Sequence, residues 1–165
     1  MIRIHRFLLA VLSMLVISMT ARADHFTIDL EVKGPKSNQT VHAEILGLGI
    51  KPKPRAVLEI QAGDTITIQW RLASTSSKET VKDVLVHLYG VKINKAGDPP
   101  PAKLEKDVLL ETALTMDFKP KDKSEGEHSL RVDKPGTYLL RLETIRAAGG
   151  TNDHEHFATL DVVAR

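Results

Sequence analysis

Asp153-His154-Glu155-His156 is the stretch whose residue types and spacing come nearest to chemistry. On an extended strand, His154 and His156 project to the same face. Two imidazoles at i and i+2 make a common half-site for zinc or copper(II), with the remaining ligands supplied by another strand or loop. Two further histidines are candidate completers: His87, inside the Asp83–Ile93 run, and His25. A free amine at Asp24 would join His25 in chelating a copper ion. The candidate metal ligands are therefore His154, His156, His25 and His87, with copper or zinc as the implied cofactor. The same His-X-His spacing also occurs as a solvated strand end, and a lone strand histidine such as His87 is commonly a hydrogen-bonded residue. His42 and His128 show no local partners and read as surface positions on strands.

Other chemistries find less support. There are no cysteines, which removes thiolate nucleophiles, thiolate metal sites and any disulfide framework. No Gly-X-Ser-X-Gly elbow is present, and Ser74, Ser76 and Ser77 lie in a polar stretch without an adjacent base. Glycoside chemistry needs paired carboxylates beside stacking aromatics, but aromatic residues make up only 4% of the chain. The same shortage argues against an aromatic platform for carbohydrate.

The elements that would hold these residues read as strands. Phe26, Ile28, Leu30 and Val32 alternate with Thr27, Asp29, Glu31 and Lys33, a half-buried strand of period two. Gly34 to Asn38 ends it, and Val41–Ile45 reads as a short second strand. Val57–Ile60 is extended. After the Ala62-Gly63-Asp64 turn, Ile66, Ile68, Trp70 and Leu72 share one face, which makes Trp70 an expected core plug. Asp83–Ile93 is apolar on both faces, as a central strand is. Leu104–Phe118 carries mixed signals and is assigned to strand from about Val108. Lys119–Glu127 reads as a charged turn, with His128–Val132 as a short strand after it. Pro135-Gly136 is a turn signal. The strand after it sets Tyr138, Leu140 and Leu142 on one face and Leu139, Arg141 and Glu143 on the other. A tyrosine just past such a corner is a β-sandwich device, its hydroxyl tied to upstream backbone. Arg146–Asp153 reads as a loop and His156–Val163 as a last strand. Roughly seven to nine strands with no amphipathic helix give an all-β fold, a single antiparallel sandwich.

Two pieces resemble cupredoxins and the wider set of immunoglobulin-like sandwiches. Ala62-Gly63-Asp64-Thr65-Ile66 is similar to the turn that opens a cupredoxin core strand. Pro135-Gly136-Thr137-Tyr138 is similar to the turn before the copper-binding loop. The resemblance implies an immunoglobulin-like or cupredoxin-like fold. It also implies a cysteine on the strand after the corner, where this chain has Leu142. A blue-copper centre needs that thiolate, so electron transfer through such a centre is excluded.

The N-terminus reads as an export signal. Arg3, His5 and Arg6 form a basic head, Phe7–Met19 is an apolar run, and Ala21-Arg22-Ala23 suits a signal peptidase. The run falls short of the roughly 20 residues of a membrane span. Residues 1–23 are the expected secretory signal peptide and 24–165 the β-sandwich domain. Of 23 lysines and arginines, the leader holds Arg3, Arg6 and Arg22. The exported chain then has 20 bases against 21 acids, which lacks the field that nucleic acid or an anionic membrane attracts.

These observations favour a secreted or periplasmic, non-enzymatic β-sandwich that binds or assembles with a protein or envelope component. Neither nucleic acid nor a membrane span after signal cleavage is expected. The long loops Gly47–Pro54, Gly97–Lys103 and Arg146–Asp153 are natural places for binding residues. The alternative is a periplasmic copper or zinc domain using the His154/His156 pair, and a hydrolase stands third. Export makes the first prediction. N-terminal sequencing of the protein from its own compartment begins at Asp24, and a retained Met1 contradicts the signal-peptide assignment.

Overall fold

Period-two alternation sets the layers of this chain. The computed structural model describes residues 26–42, 54–146 and 156–165. Nine strands run through them: β1 (Phe26–Lys33), β2 (Asn38–His42), β3 (Ala56–Ile60), β4 (Thr65–Ser74), β5 (Val81–Ile93), β6 (Val108–Phe118), β7 (Lys123–Arg131), β8 (Gly136–Arg146) and β9 (His156–Ala164). No helix occurs among the described residues. A four-stranded sheet has the order β2-β1-β4-β7 and a five-stranded sheet the order β3-β9-β8-β5-β6. Between the two lies one core, to which β1 gives Phe26, Ile28, Leu30 and Val32, and β4 gives Ile66, Ile68 and Leu72. Val84, Val86 and Leu88 of β5, Tyr138, Leu140 and Leu142 of β8, and Ala158, Leu160 and Val162 of β9 join them, with Leu58 and Ile60 of β3 and Phe118 of β6. Burying each of these large apolar side chains stabilises the fold by about 1.5–3 kcal/mol before entropy is counted.

The corner at Pro135-Gly136 works as the sequence implies. Gly136 takes φ +149°, a backbone conformation that favours glycine. The Tyr138 hydroxyl donates to the Lys134 carbonyl at 2.8 Å. Burial, with Asp107 as a smaller contributor, raises the phenol's pKa, which keeps it a donor. Leu142, where a cupredoxin cysteine would stand, is a fully buried core residue.

Three expectations need correction. The Lys119–Glu127 segment is a turn only at its start, because β7 takes up Lys123–Arg131 and absorbs the strand expected from His128. Its two polar faces, exposed and half-exposed in strict alternation, hid a strand that has no hydrophobic period. The sandwich is antiparallel as expected, with β3 beside β9 the one parallel pairing among the described residues. The second strand is Asn38–His42, and residues 43–53 lie outside the described ones. Trp70 packs against the core but is only half-buried. It pairs directly with Gly126 of edge strand β7, and its ring lies across that glycine. A Cβ at Gly126 would stand 2.5 Å from Cε2 and Cζ2 of Trp70.

These contacts predict two costs, read by chemical denaturation. Gly126→Ala lowers stability by about 1–3 kcal/mol through overpacking against a rigid ring. Tyr138→Phe lowers it by about 1 kcal/mol, the net worth of one hydrogen bond. Either variant within about 0.3 kcal/mol of the parent contradicts the corresponding contact.

Candidate functional site

Strand parity decides what the histidines can do together. In β9, Ala158, Leu160 and Val162 point into the core, so His156 has the core-facing parity. Its ring meets Phe26 with centroids 6.2 Å apart and planes at 76°. Phe26 in turn packs edge-on to Phe118 at 4.9 Å. His156 is thus a buried residue at one end of the core. His87 lies in β5 between the core residues Val86 and Leu88, so it projects from the opposite face of the same sheet. The structure therefore separates His87 from His156, and one ion cannot take both. His25 and His154 lie outside the described residues. Among the described residues no three histidine or carboxylate side chains are placed to hold a metal.

His87 is engaged elsewhere. Its Nδ1 lies 3.0 Å from Oε1 of Glu143 and its Nε2 3.2 Å from Oε1 of Glu111. The register explains both contacts: His87 stands opposite Glu143 on β8 and opposite Ala113 on β6, two residues from Glu111. Glu143 also accepts from Arg141 Nε, and the Arg141 guanidinium lies 3.9 Å over the Phe157 ring. Tyr89, tilted against His87 at 5.0 Å, has its phenol pKa pushed up to about 12, mainly by burial and secondarily by the Glu143 charge. It stays neutral throughout the physiological range. This is a cross-strand polar network in which both nitrogens of the histidine face carboxylates.

Farther along the same outer face, the loop after β5 is pinned down. Gly97 N–H donates to Asp161 Oδ2 at 2.8 Å, and Arg55 Nε donates to the same oxygen at 3.2 Å. Arg55 also reaches the Asp98 carbonyl. Leu104 packs on Tyr89, Val91 and Leu139. The Gly97–Lys103 segment, one of the loops expected to offer binding residues, is thus tied at its start to the sheet.

Among the described residues, two surfaces remain open. The first is a groove of about 480 Å³ on the outer face of the four-stranded sheet, reached by Asp29, Glu31, His42, Gln69, Arg71 and Glu127 among others. Register lines these up in rungs, His42–Asp29–Arg71–Glu125 and Thr40–Glu31–Gln69–Glu127. Their side chains answer one another. His42 meets Asp29 at 2.6 Å, which corrects the expectation that it has no partner. Gln69 accepts from Lys33 at 2.7 Å and donates to Glu127 at 2.6 Å. Exposed pairs of this kind contribute about 0–1 kcal/mol each, and the face reads as a solvated ladder.

The second surface is the free edge of β6. β2, β3, β6 and β7 are the four edge strands among the described residues. Two are short, β2 and β3 at 5 residues each. β7 is studded with Lys123, Glu125, Glu127 and Arg131. Short length and charge are the usual protections of an edge. β6 is 11 residues long with no lysine, arginine or proline. Its pairing with β5 is irregular near both ends but continuous from Leu110 to Met116. Leu114 is 53% exposed, the most open of the large exposed hydrophobics, although its parity matches that of the core residue Phe118. The reason is position. β2 lies against β3 and β9 and closes one flank of the sandwich, whereas β6 and β7 touch only sparsely on the other. The alternation of Leu110–Phe118 marks a strand in the sequence, but nothing in it tells that the strand ends a sheet.

No family model matches the chain, and no curated protein matches it in sequence. Among solved structures, the chain is similar to the C-terminal domain of wzt, at 9% identity over 82% of this chain and 70% of that chain, with a TM-score of 0.43. It is also similar to the PmoD soluble domain from Methylocystis sp. ATCC 49242 (Rockwell), at 15% identity over 84% of this chain and 90% of that one, with a TM-score of 0.38. These are distant likenesses of shape and say nothing about function.

The opposite-face placement is testable with metal. Any zinc or copper(II) affinity that falls on His156→Ala is unchanged by His87→Ala in calorimetric titration. A tenfold or greater loss of that same affinity on His87→Ala, about 1.4 kcal/mol, contradicts the placement.

Proposed function

We propose that this chain is an exported, non-enzymatic binding or assembly module of the cell envelope, and that β6 is its docking edge. The observation that carries the reading is the unprotected run Leu110–Met116 with half-exposed Leu114 beside it. An edge strand presents a row of unpaired N–H and C=O groups, a ready template for an added strand. Backbone hydrogen bonds would supply affinity there, and the open flank beside Leu114, where β6 and β7 touch only sparsely, would receive side chains of the partner. A non-catalytic role is supported by the way His87 is used. Its ring nitrogens face Glu143 and Glu111, leaving neither on a hydroxyl nucleophile. Export is supported by the leader-like N-terminus.

Site-specific photo-cross-linking in the native compartment tests the reading. A benzophenone side chain replacing Leu114 forms a discrete adduct, and one replacing Arg71 on the four-stranded face does not. Adducts confined to the Arg71 position, or none at either, overturn β6 as the docking edge.

A further inference from the structure

The proposed docking edge has a pattern that names its occupant, and that occupant's identity rests on β6 being a docking edge at all. The regular stretch of β6 is Leu110-Glu111-Thr112-Ala113-Leu114-Thr115-Met116. Centred on Ala113, it is nearly symmetric in residue class. Leu110 and Met116 are both apolar and Glu111 and Thr115 both polar, while the inner pair, Thr112 and Leu114, sets a polar residue against an apolar one. An antiparallel strand of the same sequence, related by a two-fold axis at Ala113, therefore meets itself in kind at two of its three off-axis pairings. Leu110 stands opposite the partner's Met116, Glu111 opposite the partner's Thr115, and Thr112 opposite the partner's Leu114. This is the self-complementarity that an isologous two-fold contact requires.

Three features favour a second copy of this chain over a foreign strand. First, the only charge in the stretch, Glu111, falls opposite an uncharged threonine. The two Glu111 side chains lie four residues apart along the pair, roughly 14 Å, so like charges do not collide. Second, the two Leu114 side chains become diagonal neighbours at about 7–8 Å on the inner face, within reach of each other. The most exposed of the large hydrophobics is then covered by its own symmetry mate. Third, the residue on the axis is alanine, small enough for close approach on the outer face, where it pairs with His87 of its own chain. We infer that two copies of this chain join edge to edge through β6, making one continuous ten-stranded sheet from the two five-stranded ones.

The chain has no cysteine, so a single introduced thiol reports the contact cleanly. The full chain, purified after export, is prepared as Ala113→Cys with Gln69→Cys as the control on the four-stranded face. Thiols on directly opposed strand residues lie within the Cα separation that a disulfide spans. Ala113→Cys then forms a covalent dimer under mild oxidation at least about tenfold faster than Gln69→Cys. A mixture of Glu111→Cys and Thr115→Cys reports the same register through a second pair, should Ala113→Cys fold poorly. By sedimentation, the unmodified chain is a dimer at ~100 μM, and Leu114→Lys weakens it by at least about tenfold while Trp70 fluorescence stays native. A monomer at that concentration, together with cross-linking no faster than the control, overturns self-pairing. If the chain is monomeric and a photo-cross-linker at Leu114 still captures another protein in the native compartment, self-pairing falls and the docking edge stands. If neither is seen, both fall.

Discussion

Everything in this structure depends on each internal strand having to give one face to a shared core. Side chains alternate across a strand, so once Tyr138, Leu140 and Leu142 point inward, Leu139, Arg141 and Glu143 must point out. Register then carries that choice from strand to strand. It places His87 beside Glu143 and sets His156 against Phe26. Polar residues on the outer face cannot migrate to the core without a one-residue slip, which would turn the whole apolar set of a strand to water. The tyrosine tied to Lys134 fixes the phase of β8 at the corner, and β8 lies in the middle of its sheet.

The same constraint leaves the edges as the places where structure is unfinished. The four-stranded sheet ends in β2, which is short, and in β7, which is charged. The five-stranded sheet ends in short β3 and in β6, which is neither short nor heavily charged. Because β6 and β7 touch only sparsely, a leucine with core-facing parity stands half in solvent. The polar groove differs in kind. Its carboxylates, amide and cations already satisfy one another, so binding there would exchange existing contacts for new ones. Edge pairing adds contacts that the isolated chain lacks.

Much of the layering was legible in the sequence. Phe26 to Val32 and Ile66 to Leu72 alternate plainly, and Pro135-Gly136 before Tyr138 announced the corner. Strand β7 was legible only from His128 on, because Lys123–Glu127 is polar on both sides and carries no hydrophobic period. Trp70 was expected inside on parity alone. The glycine opposite it on an edge strand lets its ring lie half open. The His-X-His pattern was visible, but its relation to His87 was not, since parity within one strand is silent about another until register is known. β6 shows the same limit from the other side: its strand character was readable, and its place at the end of a sheet depends on which strands pair.

The central claim is that the outward backbone of β6 is a pairing surface, used in the first instance by a second copy. Amide hydrogen exchange across a dilution series tests it most directly. Alternate amides between Leu110 and Met116, those facing away from β5, are then protected in concentrated solution and lose that protection on dilution, while β7 amides do not change. Exchange at those outward β6 amides that is fast at every concentration, or concentration-dependent protection at β2 or β7 instead, would contradict it.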